Sequence, residues 1–228
     1  TAMTAPPPAP LDPIEFVRAH TSVAPVPFVQ ELQLHQASDP FLLWETTERD
    51  LAARGIALPY WAFPWAGGTA LAAYLLDHPH EVQGRRVLDL ATGSGLVAIA
   101  AARAGAVEVL ANDIDPLALA AVELNAALNA VTVRTLTADL LDAPDHPALA
   151  SIEVALAGDV AYERPMARRL FAFLTALAAR GVTVLVGDPG RAYLPSGGLE
   201  RLATYDIPVP RTLEAADVKP TTIWRVRG

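Results

Sequence analysis

The sequence predicts an α/β fold: a Rossmann-like, seven-stranded, mostly parallel sheet with a C-terminal antiparallel hairpin, plus an N-terminal α/β extension. Three observations lead there. The run Arg86-Val-Leu-Asp89-Leu-Ala-Thr-Gly93-Ser-Gly95-Leu-Val-Ala-Ile-Ala-Ala goes from an apolar stretch through an acid and two close glycines into an alanine-rich amphipathic segment. That is a strand, a tight loop and the start of a helix. From Arg86 onward strand and helix signals alternate, with strands at 87–90, 107–112, 131–136, 152–157 and 182–187 and helical runs from Gly95, from Pro116 and over 164–179. This order suits a right-handed parallel sheet with helices on both faces. The alternation then stops, because 201–209 and 221–226 read as strands with no helix between them.

The bulk properties agree with such a fold. With 228 residues, 52% of them hydrophobic, the chain can bury a sizeable core. Its net charge of −8 argues against a nucleic-acid partner, whose phosphates are held by clustered Lys and Arg. The absence of cysteine excludes disulfides, thiol catalysis and thiolate metal sites. No apolar run approaches the ~20 residues that span a bilayer, and no signal-peptide pattern is present, so a soluble cytoplasmic protein without membrane partners is expected.

At the N-terminal side, residues 1–10 are rich in Ala and Pro and read as a disordered tail. An extension over 11–57 follows, and the main domain occupies 58–228. Asp12-Pro13 opens a helix that runs to about His20, with Asp as cap and Pro at the first helical position. Residues 26–35 and 41–45 read as two strands around the turn Ser38-Asp39-Pro40, and Thr46 or Thr47 caps a helix closing at Gly55. The extension is either a substrate-facing cap or a stabilising addition. Next comes the aromatic stretch Tyr60-Trp61-Ala-Phe63-Pro-Trp65-Ala-Gly67-Gly68 before a helix. It serves either as core packing for that helix or as an aromatic wall beside a ligand, with the glycines permitting close approach.

The loop after the first sheet strand decides the ligand. Gly93-Ser-Gly95-Leu-Val-Ala98 fits the G-x-G-x-x-G/A dinucleotide pattern, which admits a nicotinamide or flavin cofactor. Asp89, four residues before Gly93, would repel a pyrophosphate and suits a cationic ligand. S-adenosylmethionine carries both an ammonium and a sulfonium. The arrangement Asp89-x-Ala91-x-Gly93-x-Gly95 resembles the first motif of class I methyltransferases, acid-x-Gly-x-Gly-x-Gly, with Ala91 in place of the first glycine.

Each of the first five sheet strands ends in a polar or acidic signal. After Asp89 come Asn112-Asp113-Ile114-Asp115-Pro116, Asp139-Leu140, Gly158-Asp159-x-x-Tyr162 and Gly187-Asp188-Pro-Gly-Arg191. Ligands of open α/β sheets bind at these carboxyl ends. Asp113 is placed to accept ribose hydroxyls, Asp115 to cap a helix, and Asp139 either to accept an adenine amino group beside Leu140 or to close a turn. Asp159 projects over the reaction centre with Tyr162 on the same lip. The five histidines show no metal-ligand spacing, and Ser94 lacks a His/Asp partner set, so no metal is expected and a hydrolase reading is poor.

Taken together, Trp61, Trp65-x-Gly67-Gly68, Val87-Leu88-Asp89-Leu90-x-x-Gly93, Ala111-Asn112-Asp113-Ile114-Asp115-Pro116, Gly158-Asp159-x-x-Tyr162, Gly187-Asp188-Pro189-Gly190-Arg191 and Thr221-Thr222-Ile223-Trp224 resemble one family, the lysine methyltransferases of the electron-transfer flavoprotein β subunit. The resemblance spans roughly residues 59–227. It implies transfer of methyl groups from S-adenosylmethionine to lysines of that protein. It also implies that Asp89, Gly93, Asp113 and Asp139 contact the cofactor, with Asp159 and Tyr162 at the acceptor. With the glycine loop, the aromatic stretch and the strand ends, the expected cofactor set is Trp61, Trp65, Gly68, Asp89, Ala91, Gly93, Gly95, Asp113, Ile114, Asp139, Leu140 and Gly158. A small-molecule N-methyltransferase, a nicotinamide-dependent oxidoreductase and a non-catalytic adenosylmethionine-binding subunit are the competing expectations.

Overall fold

The computed structural model describes residues 12–37, 43, 58–211 and 216–228. Within them the sheet strands are β3 (Arg86–Leu90), β4 (Glu108–Asp113), β5 (Arg134–Thr137), β6 (Val154–Gly158), β7 (Thr183–Asp188), β8 (Leu199–Pro208) and β9 (Val218–Val226). They lie in the order β5-β4-β3-β6-β7-β9-β8. The first five pair in parallel, and β9 runs antiparallel to both β7 and β8. The expected parallel sheet with a terminal antiparallel hairpin is what forms.

The helices are α2 (Ala66–Asp77), α3 (Leu96–Arg103), α4 (Pro116–Leu128) and α5 (Arg164–Ala179). Side-chain alternation along the strands divides the core into two layers. Val87, Val109, Val154, Leu156 and Leu185 face α2 and α3 through Leu71, Leu75, Val97 and Ala101. Leu88, Leu110, Ala155, Val184 and Val186 face α5 through Leu170, Phe173, Leu174 and Leu177. Both faces are covered, so these strands are apolar almost throughout. No helix among the described residues is long and apolar enough to cross a membrane.

Chain order reverses between β3 and β6. The strands step outward from β3 to β5, and the chain then returns to place β6 on the other side of β3. The register aligns Leu90 with Asn112, Asn112 with Leu136, and Gly158 with Gly187. The carboxyl ends of all five parallel strands therefore open onto one crevice at the reversal point.

The N-terminal region departs from expectation in part. Helix α1 (Pro13–His20) forms as predicted, with the Asp12 carboxylate accepting from Ile14 N and Glu15 N. Residues 26–35 are not one strand. Thr21–Val26 (β1) and Val29–Ala37 (β2) make an antiparallel hairpin that turns at Pro27-Phe28, with Phe28 at φ 74°. Pro25 obscured β1 in the sequence, yet a proline is tolerated on an edge strand. Of residues 41–45 only Leu43 is described, and it is helical and buried, which corrects the strand reading there. The tail at 1–10, the 38–40 turn and the helix placed after Thr46 lie outside the described residues.

This extension is bonded to the sheet domain by two amides, Asn125 of α4 and Asn129 at its C-terminal cap. Asn129 exchanges two hydrogen bonds with the backbone of Gln33, its Oδ1 accepting at 3.0 Å and its Nδ2 donating at 2.6 Å, as a neighbouring strand would. Asn125, fully buried, accepts from His35 N at 2.7 Å and donates to Ser94 O at 2.8 Å. One side chain thus joins the N-terminal hairpin to the glycine loop. Asn125→Ala removes the partners of one buried and one part-buried backbone group and is expected to cost about 2–4 kcal/mol. Urea unfolding checks the magnitude, and titration with S-adenosylmethionine is expected to show weakened binding in the same variant.

Candidate active site

The glycine loop after β3 is shaped by Asp89. Its buried carboxylate accepts from Thr92 Oγ1 at 2.5 Å and from Ala98 N at 3.0 Å, tying the strand to the first turn of α3. Ala91 (φ 54°) and Gly93 (φ 55°) both take the left-handed conformation that makes the turn. Ala91 thus adopts a backbone shape that glycine adopts at no steric cost. Gly95 also turns left-handed, but it does not line the crevice. A Cβ there would meet Val122 at 3.0 Å, so Gly95 brings α3 close against α4.

Burial pushes the Asp89 carboxyl up to about 7, against the pull of its Thr92 and Ala98 hydrogen bonds and with the Asp113 charge adding to the rise. Burial raises Asp113 as well, and it carries Asp115 up to about 6. A raised carboxyl keeps its proton in the folded chain after the unfolded chain has released it near 3.8. The stability these groups supply is therefore full below pH 4 and declines as pH rises to 7. The unfolding midpoint is expected to fall by about 5 °C between pH 5 and 7.5, and Asp89→Asn to flatten that decline, as read by thermal melts across pH.

At the end of β4, Asp113 accepts Gly93 N on Oδ2 and Asp115 N on Oδ1, each at 3.0 Å, while Asp115 caps α4 through Leu117 N. Asn112 donates to both Leu136 O and Ala138 O at 2.9 Å, holding the end of β5 beside β4. Asp139 then closes a turn onto Leu141 N and pairs with Arg169 of α5, and Leu140 is fully buried beneath it. Ile114 stands largely exposed at the rim.

The opposite wall comes from α2 and the ends of β6 and β7. A Cβ on Gly158 would sit 2.8 Å from Gly68 Cα and N, so these two glycines let helix and strand touch. The resulting proximity lets Gly68 N donate to Asp159 Oδ2 at 3.1 Å. Asp159, at φ 56°, is held there by its own N–H on Gly187 O. Its Oδ1 accepts from Arg191 Nε at 3.2 Å and Nη2 at 2.8 Å. Burial raises the Asp159 carboxyl, and the Arg191 charge opposes that rise.

The aromatic stretch supplies core packing, though onto α1 and α4 rather than onto the helix that follows it, and it also lines the crevice. Trp61 is buried against Val17, Leu43, Ala118 and Ala121 and also lines the crevice, where its Nε1 has no hydrogen-bond partner among the described residues. Trp65 donates from Nε1 to Tyr60 O at 2.9 Å and lies beneath the Arg191 guanidinium, 5.9 Å from its ring. Tyr60 and Tyr162 pack at 5.4 Å and form the outer lip, 37% and 43% exposed. Burial, then the neighbouring Tyr60 and Glu163, push the Tyr162 phenol up to about 12, so it stays a hydrogen-bond donor at neutral pH.

These groups line one cavity of about 540 Å³. It holds every predicted site residue except Gly95: Trp61, Trp65, Gly68, Asp89, Ala91, Gly93, Asp113, Ile114, Asp139, Leu140, Gly158, Asp159 and Tyr162. The lining carries Asp89, Asp113, Asp115, Asp139, Asp159 and Glu163 against Arg169 and Arg191, a donor set that suits a cationic ligand and disfavours a pyrophosphate. Sequence reasoning gave no site role to Asn112, Arg169 or Arg191. Arg191 stood in the Asp-Pro-Gly-Arg turn, but nothing in the sequence shows that its side chain reaches an aspartate 32 residues away.

The family model of the ribosomal protein L11 methyltransferases (PrmA) matches residues 67–157. The electron transfer flavoprotein beta subunit lysine methyltransferase of Xenopus laevis is 36% identical over 217 residues, 93% of this chain and 86% of that protein. Its Rattus norvegicus counterpart is 37% identical over 172 residues, and the match spans 73% of this chain and 66% of the rat protein. Among solved structures, magnesium protoporphyrin IX methyltransferase (ChlM) from Synechocystis PCC 6803, with bound SAM, has a TM-score of 0.52 at 17% identity, covering 97% of this chain and all of that one (100%). That likeness concerns the fold.

Proposed function

The chain belongs to the electron transfer flavoprotein beta subunit lysine methyltransferase family, and from that premise we propose that it moves a methyl group from S-adenosylmethionine to lysine side chains of that flavoprotein subunit. The observation carrying this reading is that Asp159 and Tyr162 share one cavity with the acids of the glycine loop. Cofactor-binding and acceptor-binding chemistry thus meet in one place.

S-adenosylmethionine, when bound, supplies a methyl group on a sulfonium. Asp113, beside Gly93, and Asp139, beside Leu140, are the residues that would hold its adenosine part. Asp89 organises the loop around it, and Trp61, Trp65, Gly68, Ala91, Ile114 and Gly158 complete the walls. The acids add the negative potential that a cationic ligand needs. In-line displacement at carbon asks mainly for positioning. Asp159 orients the amine and stabilises the positive charge that develops on it, while Tyr162 and Tyr60 form the lip past which the lysine enters, its ammonium proton passing to solvent as it leaves water. The exposed tyrosine lip favours a protein acceptor over a fully enclosed small molecule.

Residues 58–228 form the catalytic domain in this reading. The 11–57 extension is a stabilising addition, which its bonds through Asn125 and Asn129 and its packing on Trp61 support. The test is incubation with labelled S-adenosylmethionine and purified electron-transfer flavoprotein beside a lysine-poor control. Label on β-subunit lysines supports both chemistry and substrate. Label only on other proteins keeps the chemistry and discards the substrate, and label on small amines alone favours the small-molecule reading. Because Lys219 is the only lysine of this chain, self-labelling is readily told apart.

A further inference from the structure

The acceptor end of the cavity contains an arginine that methyl transfer by Asp159 alone does not call for. Arg191 follows β7, its backbone N–H held on Asp188 Oδ1 at 2.7 Å. Its loop is tied to the Asp159 loop by Tyr193 N donating to Ala161 O. From there its guanidinium lies over Trp65 and gives two hydrogen bonds to one carboxylate oxygen of Asp159. Both side chains are largely buried, 19% and 9% exposed.

A carboxylate offers about four lone-pair positions. Arg191 takes two on Oδ1 and Gly68 N takes one on Oδ2, which leaves a single place on Oδ2 of a residue that lines the cavity. An unpaired carboxylate at that place would favour a lysine ammonium, the form with no lone pair for attack. A carboxylate already neutralised accepts a hydrogen bond from an amine without demanding the extra proton. We propose that Arg191 is a positioning residue for the acceptor: by cancelling the charge of Asp159, it lets the one remaining oxygen site hold the substrate lysine as a neutral amine.

This inference rests on the methyl-transfer reading above. Among the described residues, the other charged or titratable groups facing the same end are Tyr162 and Glu163 on the Asp159 loop, Tyr60 on the aromatic turn, Asp113 at the end of β4, and Asp188 at the end of β7, whose charge Lys219 of β9 offsets. No histidine lines the cavity. Removing the Arg191 charge therefore leaves a net negative surround, and the amine–carboxyl pair retains its proton to a higher pH.

The experiment is the pH profile of kcat from pH 6 to 10.5, at saturating S-adenosylmethionine and flavoprotein β subunit, for the wild type, Arg191→Gln and Arg191→Lys. A profile of kcat reports groups in the enzyme–substrate complex. The wild-type acid limb is expected at least about one unit below the ordinary lysine value near 10.4. Arg191→Gln is expected to move the limb upward by about one unit or more, so that the rate at pH 7 falls tenfold and recovers in alkaline buffer. Arg191→Lys, which keeps the charge, is expected to leave the limb in place whatever its rate. A uniformly lowered Arg191→Gln profile, or a limb displaced equally by Arg191→Lys, overturns the proposal. So does a wild-type limb at the ordinary lysine value, a result that needs no variant to fold. A wild type that methylates no β-subunit lysine at any pH overturns the function reading and this role with it, whereas an active wild type with an unmoved limb overturns this role alone.

Discussion

Replacing Asp159 by asparagine is expected to lower kcat by about 10²–10³-fold, the scale measured when one preorganised electrostatic group is removed from an active site. Asparagine keeps the shape and can still accept from Gly68 N or Arg191, but the negative charge is gone. The amine then lacks its orienting carboxylate, and Arg191 loses its ion pair with Asp159. Some loss of stability accompanies this, since a largely buried ion pair is broken. Circular dichroism and cofactor titration separate the two effects. S-adenosylmethionine affinity is expected to stay within about threefold, because Asp89, Asp113 and Asp139 stand on other strand ends and are untouched. Turnover within twofold of wild type, with the cofactor still bound, removes Asp159 from the acceptor role.

Gly187→Ala is expected to cost at least about 3 kcal/mol and to yield little folded protein, beyond the usual range for overpacking because the obstruction is backbone. A Cβ at Gly187 would sit 2.1 Å from Gly67 O, and one at Gly67 would sit 2.3 Å from Gly187 O and 2.6 Å from Asp159 Oδ2. Main chain touches main chain where α2 begins against the ends of β6 and β7, and no side-chain rotation relieves it. The same contact aims Gly68 N at Asp159, so partial accommodation would also displace the acceptor carboxylate. Gly197→Ala is the control. It has open space around its Cβ position, and its stability is expected within about 0.5 kcal/mol of wild type. Equal urea midpoints for Gly187→Ala and wild type would refute the account.

Local chemistry made much of this molecule legible in advance. Arg164–Ala179 was bounded correctly because a proline near its start and Gly181 just beyond its end punctuate it. The strand ends were legible because an acid or polar residue follows each apolar run, and parallel register then forces those ends onto one edge of the sheet. The β1–β2 hairpin was not, since Pro25 and Pro27 carry turn signals and the strand pairing that overrides them comes from 29–37 and from the Asn129 amide that caps α4. Nor was the distinction between Gly93 and Gly95, two glycines in one motif with the same left-handed backbone. What separates them is that Val122, from the next helix, fills the space at Gly95.

Capping, periodicity and turn propensity act over a few residues, so the order of strands and helices, the acid at each strand end and the aromatic run beside them are readable along the chain. Which of those groups meet follows from the packed fold. Arg191 on Asp159, Asn125 between His35 and Ser94, and Gly67 against Gly187 each join residues from 31 to 120 positions apart. Such pairings depend on how two faces of a sheet and its helices pack to native density, a property of the whole core that no local stretch contains.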